Sequence, residues 1–462
     1  MSGCDTRSMA IALDGGYPDD ELPGSSAGQH GLTPFGRHKG SRPEPIFSLT
    51  GPDLHGAERI ARGSARERFW PPEIPDPPAE HGTHAANIGD LDARLVKESF
   101  SHLAANADAV MEYFYSRLFV RYPEIRSMFP DAMRDHMERV FASLARIVWS
   151  IDNPDSLTPY LSQLGRAHRK FGTKDRHYEP FVAELIDTVR HFNIRNWTEE
   201  TRAAWEAALG HVSSVMLAAA RDDATRQPPW WIGEVVQHDQ RGPDLAVLSI
   251  RPDQPLRYAP GQYLAVQVPR WPRVWRNFSI ANAPRENGLI DLHVRAVPGG
   301  LVSGSLVHNT GLGDALLLGQ ACGDMTWSAA DDRDLLCVAG GTGLAPVKAI
   351  IEAVVGASRP GRRRKITLFF GARTEEDLYD LADLRVLEWI YPALTVIPVV
   401  SHQASYDGLK GMLPDVIARY ASPDDAEIFI SGPERMVAST VALLASRVPP
   451  GRIHHDPPDP AR

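Results

Sequence analysis

The hydrophobic pattern of this chain changes period once, at Gln227-Pro228-Pro229. From Leu91 to Ala220 apolar residues recur at helical spacing, without strand-like alternation. Beyond the prolines they recur at every second position. One sheet or one helical bundle cannot satisfy both periods, so the chain is predicted to be multidomain.

The upstream segment predicts six helices. They run through Leu91–Leu103, through Val110–Leu118 and stopping before Pro123, and through Met137–Val148 and ending before Pro154. A fourth carries Leu161, Leu164, His168 and Phe171 and is stopped by Gly172. The last two cover Tyr178–Phe192 and Thr198–Ala220, with Asn196 to Thr198 as a cap and Glu199 and Glu200 in the first turn. Past the linker, Ala246–Ile250, Tyr263–Val268 and Ile290–Val294 read as strands parted by Pro and Gly turns, which predicts a small antiparallel β-barrel. From Asp331 short apolar strands at Leu335–Ala339, Ile366–Phe370, Leu394–Val400 and Ile428–Ile430 alternate with helices, the rhythm of a doubly wound α/β sheet. Residues 1–86, with Pro71, Pro72, Pro75, Pro77 and Pro78, read as a disordered leader; the three domains are expected at 87–226, 229–329 and 330–458.

Composition narrows the function. A net charge of -9 and a pI near 6.0 argue against nucleic acid or an anionic membrane as partner. No apolar run has the length of a membrane span and no secretory signal is visible, so a cytoplasmic protein is expected. Cys4, Cys322 and Cys337 are too few for a disulfide framework or an iron–sulfur cluster. No obligatory protein partner is evident.

Chemistry enters with Gly340-Gly341-Thr342-Gly343-Leu344-Ala345-Pro346, between an apolar strand and the helix Val347–Val355. Glycines let backbone approach a pyrophosphate, and the helix start offers unpaired N–H groups. A plain strand-to-helix turn is the other reading of a glycine run. Two further strand ends support the nucleotide: Gly371-Ala372-Arg373, and Ser431-Gly432-Pro433-Glu434-Arg435-Met436. Ligands of such sheets sit at the carboxyl ends of strands. Upstream, Arg276-Asn277-Phe278-Ser279 and Gly300-Leu301-Val302-Ser303 suit a flavin dinucleotide. Arg276 can pair with phosphate, Ser279 can bond a ring nitrogen, Phe278 can lie on a flat ring, and the Gly300–Ser303 turn can present N–H groups.

In that order these segments resemble the ferredoxin–NADP reductase superfamily over about residues 230–456. Arg276–Ser279 matches R-x-Y-S, Gly300–Ser303 matches G-x-x-S, Gly341–Pro346 matches G-x-G-x-x-P and Ser431–Met436 matches C-G-P-x-x-M. Phe278 replaces the tyrosine and Ser431 the cysteine. Tyr263, in Pro260-Gly261-Gln262-Tyr263, falls at a flavin-contacting position. The resemblance implies FAD and NADH or NADPH. NADH is preferred, because Glu375, Glu376 and Asp377 follow Arg373 where a 2′-phosphate would need bases.

A histidine on an apolar helical face is usually a core residue. Beside a flavin reductase His168 gains a second reading, as axial ligand of a haem. Residues 88–222 resemble the globin half of flavohaemoglobins. Tyr113–Phe119 with Pro123-Glu124-Ile125 and Phe129 matches that family's signature, and Ala204-Trp205 matches its last helix. The resemblance implies haem b with His168 on the iron, Tyr178 as proximal-side tyrosine, Tyr115 directed at bound O2, Phe129 on the porphyrin and His136 at the distal-helix position. It also implies oxidation of nitric oxide to nitrate, with O2 and NO as small-molecule substrates. Three departures cluster between haem and flavin. Ala218-Ala219-Ala220 stands where a glutamate is usual, with Asp222 and Asp223 the nearest acids; Ala167 replaces a lysine; and Ile453-His454-His455-Asp456 runs into Pro457 without the usual aromatic. These leave two other readings open, a flavohaem electron-transfer protein using another donor and a haem-based gas or redox sensor.

Overall fold

The computed structural model describes residues 92–330, 332–359 and 363–456. The expected leader, Leu91 and the prolines after Asp456 lie outside the described residues. Three successive segments match the expected classes: an all-α bundle, an antiparallel barrel and a parallel α/β sheet.

The bundle contains α1 (Ala93–Ala104), α2 (Ala107–Arg121), α3 (Arg134–Trp149), α4 (Pro154–His168), α5 (Tyr178–Phe192) and α6 (Glu199–Ala224). Their starts follow local chemistry. Pro154 opens α4 under an Asn153 cap, and the Thr198 hydroxyl accepts the Thr201 N–H at 3.2 Å to open α6. Phe100, Phe114, Leu118, Leu161 and Trp205 close the core. Trp205 satisfies its indole N–H on Ser99 Oγ at 2.8 Å. A side chain at Gly165 would begin 2.2 Å from the Met216 carbonyl oxygen, so only glycine lets α4 lie this close to α6.

One helix differs from expectation. The α-helical turn ends at His168, and Arg169–Phe171 tighten into a 3-10 turn before Gly172 at φ 74°. A 3-10 turn spaces Lys170 and Phe171 differently about the helix axis, which a period of 3.6 does not register.

The barrel strands are β1 (Trp231–Gly242), β2 (Leu245–Pro252), β3 (Tyr263–Gln267), β4 (Arg276–Ser279), β5 (Ile290–Arg295) and β6 (Ala315–Cys322), with α7 (Leu301–His308) after β5. They order β4-β3-β6-β1-β2-β5, and an Ile280–Leu292 bridge joins the ends. β1, β4 and β6 have no counterpart in the periodicity reading. Register shifts break β1's alternation, and β6 begins as the continuous run Leu316-Leu317-Leu318, which period cannot assign. The third segment has β7 (Asp334–Gly340), α8 (Leu344–Ala357), β8 (Ile366–Ala372), α9 (Leu381–Ile390), β9 (Leu394–Val400), β10 (Leu409–Lys410), α10 (Leu413–Tyr420), β11 (Ala426–Ser431), α11 (Glu434–Leu444) and β12 (Ile453–His454). Its parallel order is β10-β9-β8-β7-β11-β12, so the chain reverses direction of growth at β7. Among the described residues no helix is long and apolar enough to cross a membrane.

Candidate functional site

His168 ends α4 with its Nδ1 2.7 Å from the Leu164 carbonyl oxygen. A carbonyl only accepts, so Nδ1 carries the proton and the Nε2 lone pair is left for a metal. Burial holds the imidazole below its ordinary pKa, in the neutral form a ligand needs. Near it, the Tyr115 hydroxyl lies 2.9 Å from His136 Nε2. Burial drives Tyr115 well above the ordinary tyrosine range. His136 is held down at about 4, by burial first and then by Arg139 and His168. Phe129 sits edge-on to Tyr115 at 5.5 Å and to His136 at 5.1 Å. Around this space Met133, Met137, Leu164 and Phe181 pack on the core yet remain half-buried. A neutral imidazole with a free nitrogen, an aromatic wall and half-covered apolar side chains fit a haem.

Tyr178 opens α5 half-buried, its hydroxyl pushed up to about 12 by burial. Among the described residues His168 Nδ1 bonds the Leu164 backbone and neither Tyr178 nor a carboxylate. Asp223 is committed elsewhere. It pairs with Arg169 and accepts Gln227 Nε2 at 2.7 Å. Gln227 also donates to Gln320 of β6 at 2.7 Å, so the expected linker is a fastened seam rather than a free tether. Sequence reasoning missed this cluster, since Arg169, Asp223 and Gln320 are neighbours only after folding.

On the barrel, β3 and β4 pair so that Tyr263 lies opposite Ser279, Leu264 opposite Phe278 and Ala265 opposite Asn277. Phe278 is half-buried and packs on the barrel core, while Asn277 is exposed. Arg276 Nη2 contacts Asp135 Oδ2 of α3 at 3.0 Å, tying the expected phosphate ligand to the distal helix. Gly300 caps α7, and Ser303 Oγ accepts the Val297 N–H at 3.4 Å. Asp456 comes near Tyr263, since a side chain at Gly323 would meet both. Burial raises the Asp456 carboxyl above its usual value. Trp275, immediately before β4, carries no role in the sequence reading. Its ring faces Phe171 and lies under Lys170 at 5.5 Å, a desolvated cation–π contact of about 1–2 kcal/mol.

The nucleotide segments converge. Gly340 of β7 lies beside Gly371 of β8, and Ala339 beside Ser431 of β11, at the carboxyl ends of adjacent strands where the order reverses. Gly341-Thr342-Gly343 make a 3-10 turn into α8, whose first turn holds Pro346. A side chain at Gly343 would begin 2.4 Å from the Ser431 carbonyl oxygen, and one at Gly340 would strike Met436 and Pro433. Gly432 takes φ 152° in the same contact, and Arg373 is exposed beyond β8. Ion pairs fasten this sheet to the barrel: Arg295–Asp377 at 3.1 Å and Arg241–Asp383 at 3.0 Å. Beside them His293 Nδ1 meets the Tyr379 hydroxyl at 2.8 Å. Lys348 contacts Asp380 at 2.7 Å, and burial still pushes that carboxyl up to about 6.

Comparison with known proteins agrees with this division. Residues 112–216 match the globin family, 233–327 the oxidoreductase FAD-binding domain and 337–442 the oxidoreductase NAD-binding domain. The naphthalene 1,2-dioxygenase/salicylate 5-hydroxylase ferredoxin–NAD(P)+ reductase component of Ralstonia sp is 34% identical over 48% of this chain and 67% of its own length. The xylene/toluene monooxygenase electron transfer component of Pseudomonas putida is 33% identical over 42% of this chain, which spans 55% of that relative. A flavohemoprotein of Bordetella parapertussis is 26% identical over 56% of this chain and 69% of its own. A solved flavohemoglobin from Malassezia yamatoensis, with bound FAD and heme, superposes with a TM-score of 0.66 at 17% identity, over 79% of this chain and 97% of that one. Haem, FAD and a nicotinamide dinucleotide are the cofactors of these three domain types. Together these findings support a divergent flavohaemoglobin-like fusion, in which a globin domain is joined to FAD- and NAD-binding oxidoreductase domains.

Proposed function

We propose that this protein is an NAD(P)H-dependent oxidoreductase that passes electrons from the nicotinamide through FAD to haem, and that nitric oxide is oxidised to nitrate there with O2. The observation that carries the reading is His168. Its proton is committed to the Leu164 carbonyl, its other nitrogen is left for a metal, the Tyr115–His136 pair lies near it, and the next residues run onto the flavin barrel.

When bound, the cofactors supply hydride acceptance at the flavin and a dioxygen site at ferrous iron. The chain's own residues do the rest. His168 Nε2 would ligate the iron. The Tyr115 hydroxyl, bonded to His136 at 2.9 Å, would turn to a polar ligand bound beside them. Phe129 would keep water from the pair. Tyr178, at the start of α5, would line the side of His168. The Gly341–Gly343 turn and Gly432-Pro433 shape the nucleotide cleft, and Met436 packs beneath it. Tyr263, Ser279 and the Gly300–Ser303 turn receive FAD, with Arg276 exchanging Asp135 for phosphate. NADH is the preferred donor, as Glu375 and Glu376 repel a 2′-phosphate beside Arg373.

A second reading is a flavohaem electron-transfer protein served by another donor. One observation favours it. His168 leans on a backbone carbonyl instead of a carboxylate, which pushes less electron density to iron. The deciding experiment is an anaerobic absorption spectrum of purified protein before and after NADH, followed by NO-dependent NADH consumption in air. Bleaching of flavin together with a ferrous Soret shift and NO-stimulated turnover supports the first reading. A Soret band that stays ferric under NADH favours the second.

A further inference from the structure

The seam between bundle and barrel holds a line of rings. The Phe171 ring lies 6.0 Å from the His168 ring at 79°. The same ring lies 6.4 Å from Trp275 at 90°. Lys170 Nζ stands over both, 5.2 Å from Phe171 and 5.5 Å from Trp275. The lysine stem lies on β6, where a side chain at Gly319 would begin 3.5 Å from Lys170 Cδ. The Trp275 carbonyl accepts Arg276 Nη1 at 3.1 Å, which couples the ring's backbone to the first residue of the flavin strand.

The approach of Trp275 is enforced by the backbone. Arg273 takes φ 65°, and among the described residues it is the one non-glycine residue with positive φ. Such a residue persists only where its surroundings over-determine it. Here the buried Gln267 side chain accepts the Arg273 N–H at 2.6 Å. The strained turn directs the chain so that Trp275 meets Phe171.

We propose that Phe171 and Trp275, clamped by Lys170, form the contact through which single electrons cross from the flavin-binding strand to the iron ligand His168. This inference rests on the nicotinamide–flavin–haem reading above. One NADH and two ferric irons give NAD+, one proton and two ferrous irons; the hydride's two electrons cross one at a time and its proton leaves to solvent. The rings serve as packed matter between donor and acceptor, and neither is itself oxidised. Of the polar links across the seam, Arg276–Asp135 leads to the distal helix and Gln227–Gln320 to the end of the bundle; neither has a ring system or reaches the iron ligand.

The test uses the full-length holoprotein mixed anaerobically with NADH under carbon monoxide, following flavin bleaching and ferrous-haem formation as separate phases. Trp275→Leu is expected to leave the flavin phase unchanged and to slow the haem phase at least about tenfold, and Trp275→Phe to stay within about threefold of the native rate. Lys170→Met, which keeps the stem and removes the charge, falls between them. Dithionite separates a path from a prop: it bypasses the flavin and reduces the haem of every variant equally fast. Hydrogen exchange at Lys170–Gly172 tests the contact itself, and rises in Trp275→Leu even before cofactors are added. A Trp275→Leu haem phase at the native rate, or equal slowing of both phases, overturns the proposal. If the native protein itself bleaches its flavin and never reduces its haem, the parent reading falls, and that outcome is distinct from failure of the bridge alone.

Discussion

Arg169, the residue after His168, is ion-paired with Asp223 at the end of α6, and their side chains are only 11% and 7% exposed. The pair sits between the proposed iron ligand and the barrel, with Arg169 also donating to the Gln227 carbonyl at 2.8 Å. A buried pair is strong evidence of geometry and weak evidence of net stability. Removing one partner is another matter. Arg169→Met leaves the Asp223 carboxylate uncompensated and is expected to cost about 3–5 kcal/mol. Arg169→Met with Asp223→Leu recovers most of the loss. A double-mutant cycle in urea measures both; equal destabilisation by the single and double variants contradicts the pairing.

Gly165→Ala forces α4 away from α6, because the new carbon meets the Met216 backbone and cannot be dodged by a side-chain rotation. The expected loss is about 1–3 kcal/mol. The displaced segment carries His168 less than one turn later, so haem content at fixed protein concentration should fall with the melting temperature. The ratio of Soret to protein absorbance reads the first, and a thermal melt reads the second.

His168→Ala should abolish the Soret band while flavin absorbance and NADH-driven flavin bleaching persist, since the barrel and α/β sheet have their own cores. A full Soret band in this variant would place the iron ligand elsewhere.

Tyr115→Phe removes the hydroxyl that meets His136 at 2.9 Å. One lost hydrogen bond to a polar ligand is worth about 1–1.5 kcal/mol, so oxygen should leave ferrous haem about tenfold faster. Flash photolysis of the oxygenated protein checks the rate. An unchanged rate would mean the hydroxyl stays on His136 when ligand is bound.

Acid should weaken the junction of barrel and α/β sheet through His293. Its imidazole is buried on Tyr379, with Lys348 and Arg241 nearby, and its pKa lies well below the usual 6.5. A depressed pKa means stability is present above 6.5 and is lost as pH falls from there toward the folded value, because only the unfolded chain takes up the proton. The slope per group is about 1.4 kcal/mol per pH unit. Asp380, raised to about 6, has the opposite sign: it favours folding below the ordinary carboxyl range and loses that contribution as pH rises through 6. Urea titrations between pH 5 and 7 should therefore show a shallower acid slope in His293→Gln than in the native chain. Identical slopes would show that His293 titrates normally.

The residues proposed to carry chemistry stand out in the sequence because each uses a local rule. Glycines before a helix, an arginine–serine pair after a strand and an apolar-faced histidine are short-range patterns, and the strands and helices that hold them follow from period and punctuation. Helix ends were legible for the same reason before Pro123 and Pro154, while the helix expected to reach Gly172 ends at His168. The breaks in legibility have physical causes too. β1 and β6 were hidden because bulges and a continuous apolar run erase a period of two. The partner of His168 is a backbone carbonyl, which every residue possesses, so no side-chain pattern announces it.

What the amino-acid order determined by itself was the set of domains and the ligands each is built to hold, since those depend on neighbours within a few turns of chain. What only the tertiary structure decided was how the domains touch. Trp275 meets Phe171 across 104 positions, Arg169 meets Asp223 across 54, and Arg276 meets Asp135 across 141. Such contacts arise from the packing of whole surfaces, and sequence spacing carries no record of them.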